Sequence, residues 1–203
     1  MVNAFLFDVG NVIIAFDFRK AARKIEPCCD CSAGEILARV SPLTDTLERG
    51  EITPDQFYDE TTRLIGYQGD RDFLARSFED IFELNEPMVE FIQARHAEGI
   101  PLHLLSNTNG IHVPFFEKTY EVFDCFDGRI YSHEVGCMKP DPEIYRIVKE
   151  RLPLDPATTL YIDDLPANCE AGREAGFRIN QYDRQNHGSF LRQIAALCGK
   201  NGD

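Results

Sequence analysis

Short apolar runs recur along the chain, separated by longer segments with helical spacing. The runs are residues 2–7, 101–105, 128–131, 159–162 and 177–182. Their apolar positions are continuous and do not alternate with polar ones. This pattern is typical of strands that are buried on both faces of a parallel sheet.

Helical patterns lie between the later runs, at residues 87–97, 142–152 and 166–175. Each begins with a proline, and Gly99 and Gly176 follow the first and the last of them. Proline suits the first turn of a helix, and glycine often follows the end of one. The succession of strand and helix predicts an α/β fold, with a Rossmann-like parallel sheet and helices on both of its faces.

Residues 17–85 interrupt this succession, because they contain helical patterns at 17–25, 33–40, 54–65 and 70–81 and no strand pattern. Thr53 and Pro54 form a good helix start, with a capping hydroxyl followed by proline. Connections without structure rarely exceed about 15 residues. We therefore predict two domains: an α/β core formed by residues 1–16 and 86–203, and a helical domain formed by 17–85 and inserted after the first strand.

Charge and composition narrow the functional classes. The 203 residues include 34 acidic and 21 basic ones, for a net charge of −13, which disfavours binding to nucleic acid or to anionic membranes. No apolar run approaches the roughly 18 residues that cross a bilayer. The seven cysteines contain one CxxC spacing with no second pair, which favours free thiols over a zinc site. The expected location is cytoplasmic, and the sequence does not indicate an oligomeric state.

Polar residues stand where the predicted strands end. Asp8 follows the first apolar run, Ser106 the second, and Asp163 and Asp164 the fourth, while Lys139 lies in the loop after the third. Ligands of open parallel sheets bind at the carboxyl ends of the strands. These side chains, far apart in sequence, are therefore expected to meet in one crevice.

Three carboxylates at one sheet edge repel one another unless positive charge compensates them. A divalent cation together with Lys139 would do so, and Mg²⁺ is usually held by one or two carboxylates, here Asp8 and Asp164. A carboxylate can also attack phosphorus, and a hydroxyl such as that of Ser106 can hold phosphoryl oxygens. The residues therefore predict phosphoryl transfer to Asp8, with Mg²⁺ as cofactor and a small phosphorylated molecule as substrate.

Four segments, in order, resemble the motifs of the haloacid dehalogenase-like (HAD) hydrolases: FLFDVGNVI, LLSNT, GCMKPDPEIY and YIDDLPANCEAG. The resemblance implies that Asp8 is the nucleophile and a metal ligand. It also implies that Ser106 binds the phosphoryl group, that Lys139 neutralises charge, that Asp164 binds the metal and that Asp163 supports the metal's waters. On this resemblance the segment 17–85 is a helical cap that closes over the site and selects substrates.

One position departs from the family pattern. Most phosphatases of the family carry a second aspartate two residues after the nucleophile as general acid and base, whereas this chain has Gly10, whose carbonyl oxygen can still bind the metal. The form DVGNV, with SNTNGIH and ERGEIT, resembles a subgroup that includes α-D-glucose-1-phosphate phosphatase. An anomeric hydroxyl leaves with little protonation, so we predict a preference for sugar 1-phosphates or other activated leaving groups.

Two further residues are candidates for substrate binding: Asn107, beside Ser106, and His112, which either reaches the substrate or begins the next helix. Two alternative functions stay open at this point. A 2-haloacid dehalogenase would use a lone aspartate without metal, and magnesium-dependent phosphate release would distinguish the two enzymes. A catalytically impaired member of the family would bind a phosphorylated metabolite without turning it over.

Overall fold

The computed structural model describes residues 2–79 and 81–198, including the backbone but not the side chain of Cys198. Its strands are β1 Ala4–Phe7, β2 Ile14–Phe16, β3 Phe82–Leu84, β4 Leu102–Ser106, β5 Gly128–Tyr131, β6 Thr159–Asp163 and β7 Arg178–Gln181. Its α-helices are α1 Phe18–Ile25, α2 Ala33–Glu48, α3 Pro54–Ile65, α4 Arg71–Glu79, α5 Glu86–Ala97, α6 His112–Thr119, α7 Ser132–Val135, α8 Pro142–Arg151, α9 Pro166–Glu174 and α10 His187–Cys198.

Five strands form a parallel sheet in the order β5-β4-β1-β6-β7. The central strand β1 lies between β4 and β6, with Phe5 opposite both Leu102 and Leu160. All five sheet strands fall at the predicted apolar runs. The prediction of a Rossmann-like parallel sheet is therefore confirmed.

Side chains of β1 point alternately to the two faces of the sheet, as the twofold period of a strand requires. Phe5 and Phe7 belong to a hydrophobic cluster with residues of α5, α6 and α10. Leu6 belongs to a separate cluster with residues of α8, among them Tyr145 and Val148. Helices therefore cover both faces of the sheet, as predicted. Helix α10 was not predicted from the sequence.

Helices α1 to α4, which we call the insert, share a hydrophobic cluster that includes Ile25, Ile36, Phe57 and Leu74. Its helix starts are fixed locally: Ser32 and Thr53 cap α2 and α3, each with a complete capping box. The bounds of α3 agree with the sequence prediction. The cluster also includes Ile111 of the loop before α6, so the insert packs against the α/β core.

Helix α2 is longer than predicted and ends at Glu48 rather than at Val40. Proline inside a helix costs about 3 kcal/mol, so Pro42 disfavours this longer helix. The helix continues because its apolar spacing does: both Val40 and Leu47 are buried in the insert cluster. Their burial offsets the backbone hydrogen bond that Pro42 cannot donate. The helix therefore extends to Glu48, its last residue.

The prediction of no strand between residues 17 and 85 is wrong. Strand β3 pairs antiparallel with β2, with Ile14 opposite Leu84 and Phe16 opposite Phe82. Each strand has three residues, too few for a periodic signal, and pairing between distant segments sets their structure. The chain therefore enters and leaves the insert on two adjacent strands.

Two further observations concern the cysteines and whether any helix could span a membrane. Six cysteines of the described side chains are free: Cys28, Cys29, Cys31, Cys125, Cys137 and Cys169. Among the described residues, no helix combines the length and the apolar character that a bilayer-crossing segment needs.

Candidate active site

The polar residues predicted at strand ends meet at one edge of the sheet. Asp8 directly follows β1, while Ser106 and Asp163 are the last residues of β4 and β6. Their strands are neighbours, and the N–H of Asp8 donates to the carbonyl oxygen of Ile162 at 2.9 Å. The structure therefore places these side chains beside one another, as the parallel topology requires.

Lys139 comes from the loop before α8 and lies between two carboxylates. Its Nζ is 2.8 Å from Asp8 Oδ1 and 2.7 Å from Asp163 Oδ2, and it donates to the carbonyl oxygen of Leu105 at 3.1 Å. An ammonium group has three donors, so all of them are satisfied. Burial lowers the pKa of Lys139, but the charges of Asp8 and Asp163 outweigh burial and raise it.

Asp163 is completely buried and its oxygens are fully engaged. Besides Lys139, they accept hydrogen bonds from the Tyr161 hydroxyl, from Leu165 N at 2.9 Å and from Asn168 Nδ2 at 3.1 and 3.2 Å. Burial alone would raise the pKa of Asp163, but Lys139 and these donors lower it. Asp163 is therefore ionised and holds Lys139 in place.

The three carboxylates of Asp8, Asp163 and Asp164 each offer an oxygen within 4.8 Å of the others. Asp164 is only partly buried, and its Oδ2 accepts from Asn11 Nδ2 at 3.1 Å. Burial, opposed by Lys139 and reinforced by the two other carboxylates, raises the pKa of Asp8 to about 7. One lysine cannot compensate three acids, and a divalent cation would fit this excess of negative charge and its oxygen ligands.

Ser106 and Asn107 lie beside this cluster. Ser106 is 2% exposed, and its Oγ has only a long contact of 3.4 Å, to the carbonyl oxygen of Asn107. The Asn107 side chain spans the backbone of Lys139: its Oδ1 accepts from Lys139 N at 2.8 Å and its Nδ2 donates to Lys139 O at 2.9 Å. The hydroxyl of Ser106 thus makes no short hydrogen bond, whereas the amide of Asn107 positions the backbone of Lys139.

His112 begins α6 and is buried between the core and the insert. Its ring packs against Phe18 and Phe82, and its Nδ1 is 3.1 Å from Asn109 Nδ2. Burial lowers its pKa to about 4, so the ring is neutral. His112 therefore lies at the interface between the insert and the core. It lines a small cavity that Ser106 also lines.

Comparison with known proteins agrees with this geometry. Residues 2–176 match the haloacid dehalogenase-like hydrolase family. The chain belongs to this family. A match over this length includes every strand-end residue described above.

Several HAD relatives are phosphatases. A D-ribitol-5-phosphate phosphatase from Bacteroides thetaiotaomicron is 25% identical, covering 97% of this chain and 98% of the relative. A sesquiterpene phosphatase from Aspergillus oryzae is 27% identical, covering 86% of each chain. A HAD family enzyme from Bacteroides thetaiotaomicron, solved in complex with magnesium and inorganic phosphate, is 25% identical with a TM-score of 0.79, covering 91% of this chain and 96% of that one. Family and relatives together support phosphatase activity for this chain.

Gly10, where most HAD phosphatases have a second aspartate, lies on the cavity beside Asp8. A Cβ atom at position 10 would lie 2.9 Å from Cε1 of Phe16, so the phenylalanine ring fills the space beside the glycine. Phe16 is 42% exposed, which leaves its ring room to move. No carboxylate from this position therefore reaches the site.

The cavity at the sheet edge has a volume of about 210 Å³. Its lining combines core residues with one residue of the insert: Asp8, Gly10, Asn11, Phe16, Glu48, Asn107, Lys139, Asp164, Leu165 and Asn168. Glu48 also lines a larger cavity of about 480 Å³ formed mainly by apolar residues of the insert. Burial, followed by the charges of Asp45 and Asp8, raises the pKa of Glu48 to about 7.

Sequence reasoning missed four residues at this site: Asn11, Glu48, Tyr161 and Asn168. Asn11 has a positive φ of 55°, which asparagine tolerates in a tight turn, so the Asn of DVGN was a usable signal. Asn168 lies five residues after Asp163, in the first turn of α9. Glu48 begins the segment ERGEIT, but its place at the site depends on the length of α2.

Proposed function

We propose that this chain is a Mg²⁺-dependent phosphatase that removes phosphate from a small phosphorylated metabolite through an aspartyl-phosphate on Asp8. The geometry that supports this function is the buried lysine shared by two acids. Lys139 lies within 2.8 Å of both Asp8 and Asp163, next to Asp164, on the wall of a cavity. Such a cluster serves chemistry rather than stability, since buried charges are costly to maintain.

Asp8, Asp164 and the carbonyl oxygen of Gly10 are the groups that would hold Mg²⁺. When bound, the ion would neutralise charge on the phosphoryl group and on the carboxylates around it. Asp163 is a poor direct ligand, because both of its oxygens already accept hydrogen bonds from the protein. We therefore assign Asp163 to positioning Lys139.

Asp8 forms a bond to phosphorus as the bond from phosphorus to the leaving oxygen breaks. The Ser106 hydroxyl and Lys139 stabilise the charge on the non-bridging oxygens during this transfer. Water then attacks the aspartyl-phosphate, releases inorganic phosphate and restores Asp8. Asn107 holds the backbone of Lys139, and Asp163 holds its ammonium group. The lysine is therefore already in position for the transfer.

The insert lies within the predicted domain 17–85, and we propose that this domain is the cap that selects the substrate. It contributes Glu48 to the site cavity and most of the lining of the adjoining 480 Å³ cavity. Two relatives of this chain bear names with very different substrates, a polyol phosphate and a sesquiterpene phosphate. We expect the residues of the insert to decide which substrate this chain accepts.

The decisive experiment measures phosphate release over a metabolite panel, with and without Mg²⁺, using Asp8→Asn as the blank. We expect turnover that requires the metal and disappears in the variant. Halide release from 2-haloacids without metal would favour a dehalogenase. Binding without turnover of any panel member would indicate an impaired enzyme.

A narrower hypothesis considers position 10 alone: if no other group at the site donates a proton, sugar 1-phosphates should be preferred, because their leaving group needs less protonation. The panel should therefore pair each sugar 1-phosphate with the 6-phosphate of the same sugar. Equal or better turnover of the 6-phosphates would contradict this hypothesis. That outcome would also indicate that another group protonates the leaving oxygen.

A further inference from the structure

Among the residues that the structure describes, the insert contributes one carboxyl group to the lining of the site cavity. Glu48 is the last residue of α2, and it is the one residue of the insert among those that line the cavity. The other ionisable residues of the lining belong to the core: Asp8, Lys139 and Asp164. The insert therefore presents one titratable side chain to the site.

The end of α2 is fixed to the core, so Glu48 is held in place. Its carbonyl oxygen accepts a hydrogen bond from Ser132 Oγ at 2.6 Å, and the same oxygen atom of Ser132 accepts from Thr108 N at 2.9 Å. Two residues further on, Gly50 has a φ of +69° and approaches His133 so closely that a Cβ atom would lie 2.2 Å from its carbonyl oxygen. These contacts tie the backbone of Glu48 to α7 and, through Ser132, to the loop that follows Ser106.

Phosphoryl transfer places the attacking and leaving oxygens roughly in line through phosphorus. With Asp8 as nucleophile at the sheet edge, the leaving oxygen faces the wall that the insert provides. Lys139 cannot serve as the acid there, because its three donors are held by Asp8, Asp163 and Leu105. Position 10 cannot either, since it is a glycine packed against Phe16.

We propose that Glu48 is the general acid and base of this enzyme, taking the role that the residue at position 10 cannot fill. This inference rests on the proposed phosphatase function. As Asp8 bonds to phosphorus, the bond to the leaving oxygen breaks and the Glu48 carboxyl gives that oxygen its proton, releasing an alcohol. Glu48 then takes a proton from the water that attacks the aspartyl-phosphate, which releases phosphate and restores both acids.

The surroundings of Glu48 suit this role. Burial raises its pKa to about 7, so both protonation states are populated near neutral pH. Glu48 lines both the site cavity and the larger insert cavity, so it adjoins the space available to a leaving group. General acid catalysis matters most for poor leaving groups, and this dependence provides the test.

The test compares wild type with Glu48→Gln, a variant of nearly the same shape that cannot donate a proton as a carboxyl group does. Single-turnover release of the leaving group is measured across substituted phenyl phosphates and one alkyl phosphate, with Mg²⁺ present. We expect roughly a 10²–10⁴-fold loss on the alkyl phosphate. The burst of p-nitrophenol from p-nitrophenyl phosphate should stay close to the wild-type rate, because this group leaves unprotonated.

Glu51→Gln is the matched control, since it makes the same change three residues further on, at an exposed position that does not line the site cavity. It should keep the wild-type dependence on the leaving group. If Glu48→Gln slows all esters by the same factor, or none, Glu48 is not the acid, although the phosphatase proposal survives. If wild type releases no phosphate from any ester, both proposals fall.

Discussion

The sheet edge and the insert differ in how exposed their paired charged side chains are. At the sheet edge, Asp8, Asp163 and Lys139 are at most 7% exposed and are linked by contacts of 2.7 and 2.8 Å. In the insert, the Arg71 side chain is 46% exposed and pairs with two acids that are more exposed still. Both regions contain a hydrophobic cluster, so the difference lies in where the charges are placed.

Buried charges are expensive to desolvate, and removing one partner leaves the other uncompensated. Exposed ion pairs contribute little, because water and salt screen them. The sheet edge therefore carries charge for chemistry, whereas the insert is stabilised by its apolar cluster and its helix caps. A fixed reactive centre beside an independently packed insert allows substrate selection to change without disturbing the nucleophile.

The largest expected effect comes from Asp8→Asn, which should abolish turnover without weakening the fold. The folded-state pKa of Asp8, about 7, exceeds its ordinary 3.8, so its contribution to stability is present below pH 4 and is lost as pH rises to 7. In metal-free buffer at pH 8 the variant should therefore unfold at the same or a higher urea concentration than wild type. A marked loss of stability would show that Asp8 is structural.

Lys139→Ala should produce the largest loss of stability. It leaves Asp8 and Asp163 buried without their shared cation, and breaking a buried ion pair costs about 3–5 kcal/mol of unfolding free energy. Urea denaturation measures this change. Lys149→Ala, which removes an exposed lysine of α8, is the control and should stay within about 0.5 kcal/mol of wild type. Similar values for the two variants would contradict the cost assigned to breaking the buried ion pairs of Lys139.

Much of the sheet edge could be predicted from sequence, for a local reason. Asp8, Ser106 and Asp163 each stand at the end of an apolar run, and parallel topology brings such ends together. Lys139 was expected in the loop after the third apolar run, and the structure places it in the loop before α8. Regular periodicity also located the sheet strands and the helices α3, α5, α8 and α9 to within a few residues.

The remaining features depend on contacts between distant segments. Strands β2 and β3 exist because residues about 70 positions apart pair with each other. Glu48 reaches the cavity only because α2 continues past Pro42, which packing of Val40 and Leu47 makes favourable. The bonds from Tyr161 and Asn168 to Asp163 likewise appear only in the folded chain. No local pattern contains this information.

The smallest expected effect comes from Arg71→Ala in the insert. Arg71 lies 2.8 Å from Asp55, also pairs with Asp59, and stacks over the Tyr58 ring at 5.5 Å. Because the charged groups are exposed, the loss of stability should be small and should shrink as salt is added. Urea denaturation at low and high salt measures both features. A loss as large as that of Lys139→Ala, insensitive to salt, would mean that the insert depends on charge as strongly as the sheet edge does.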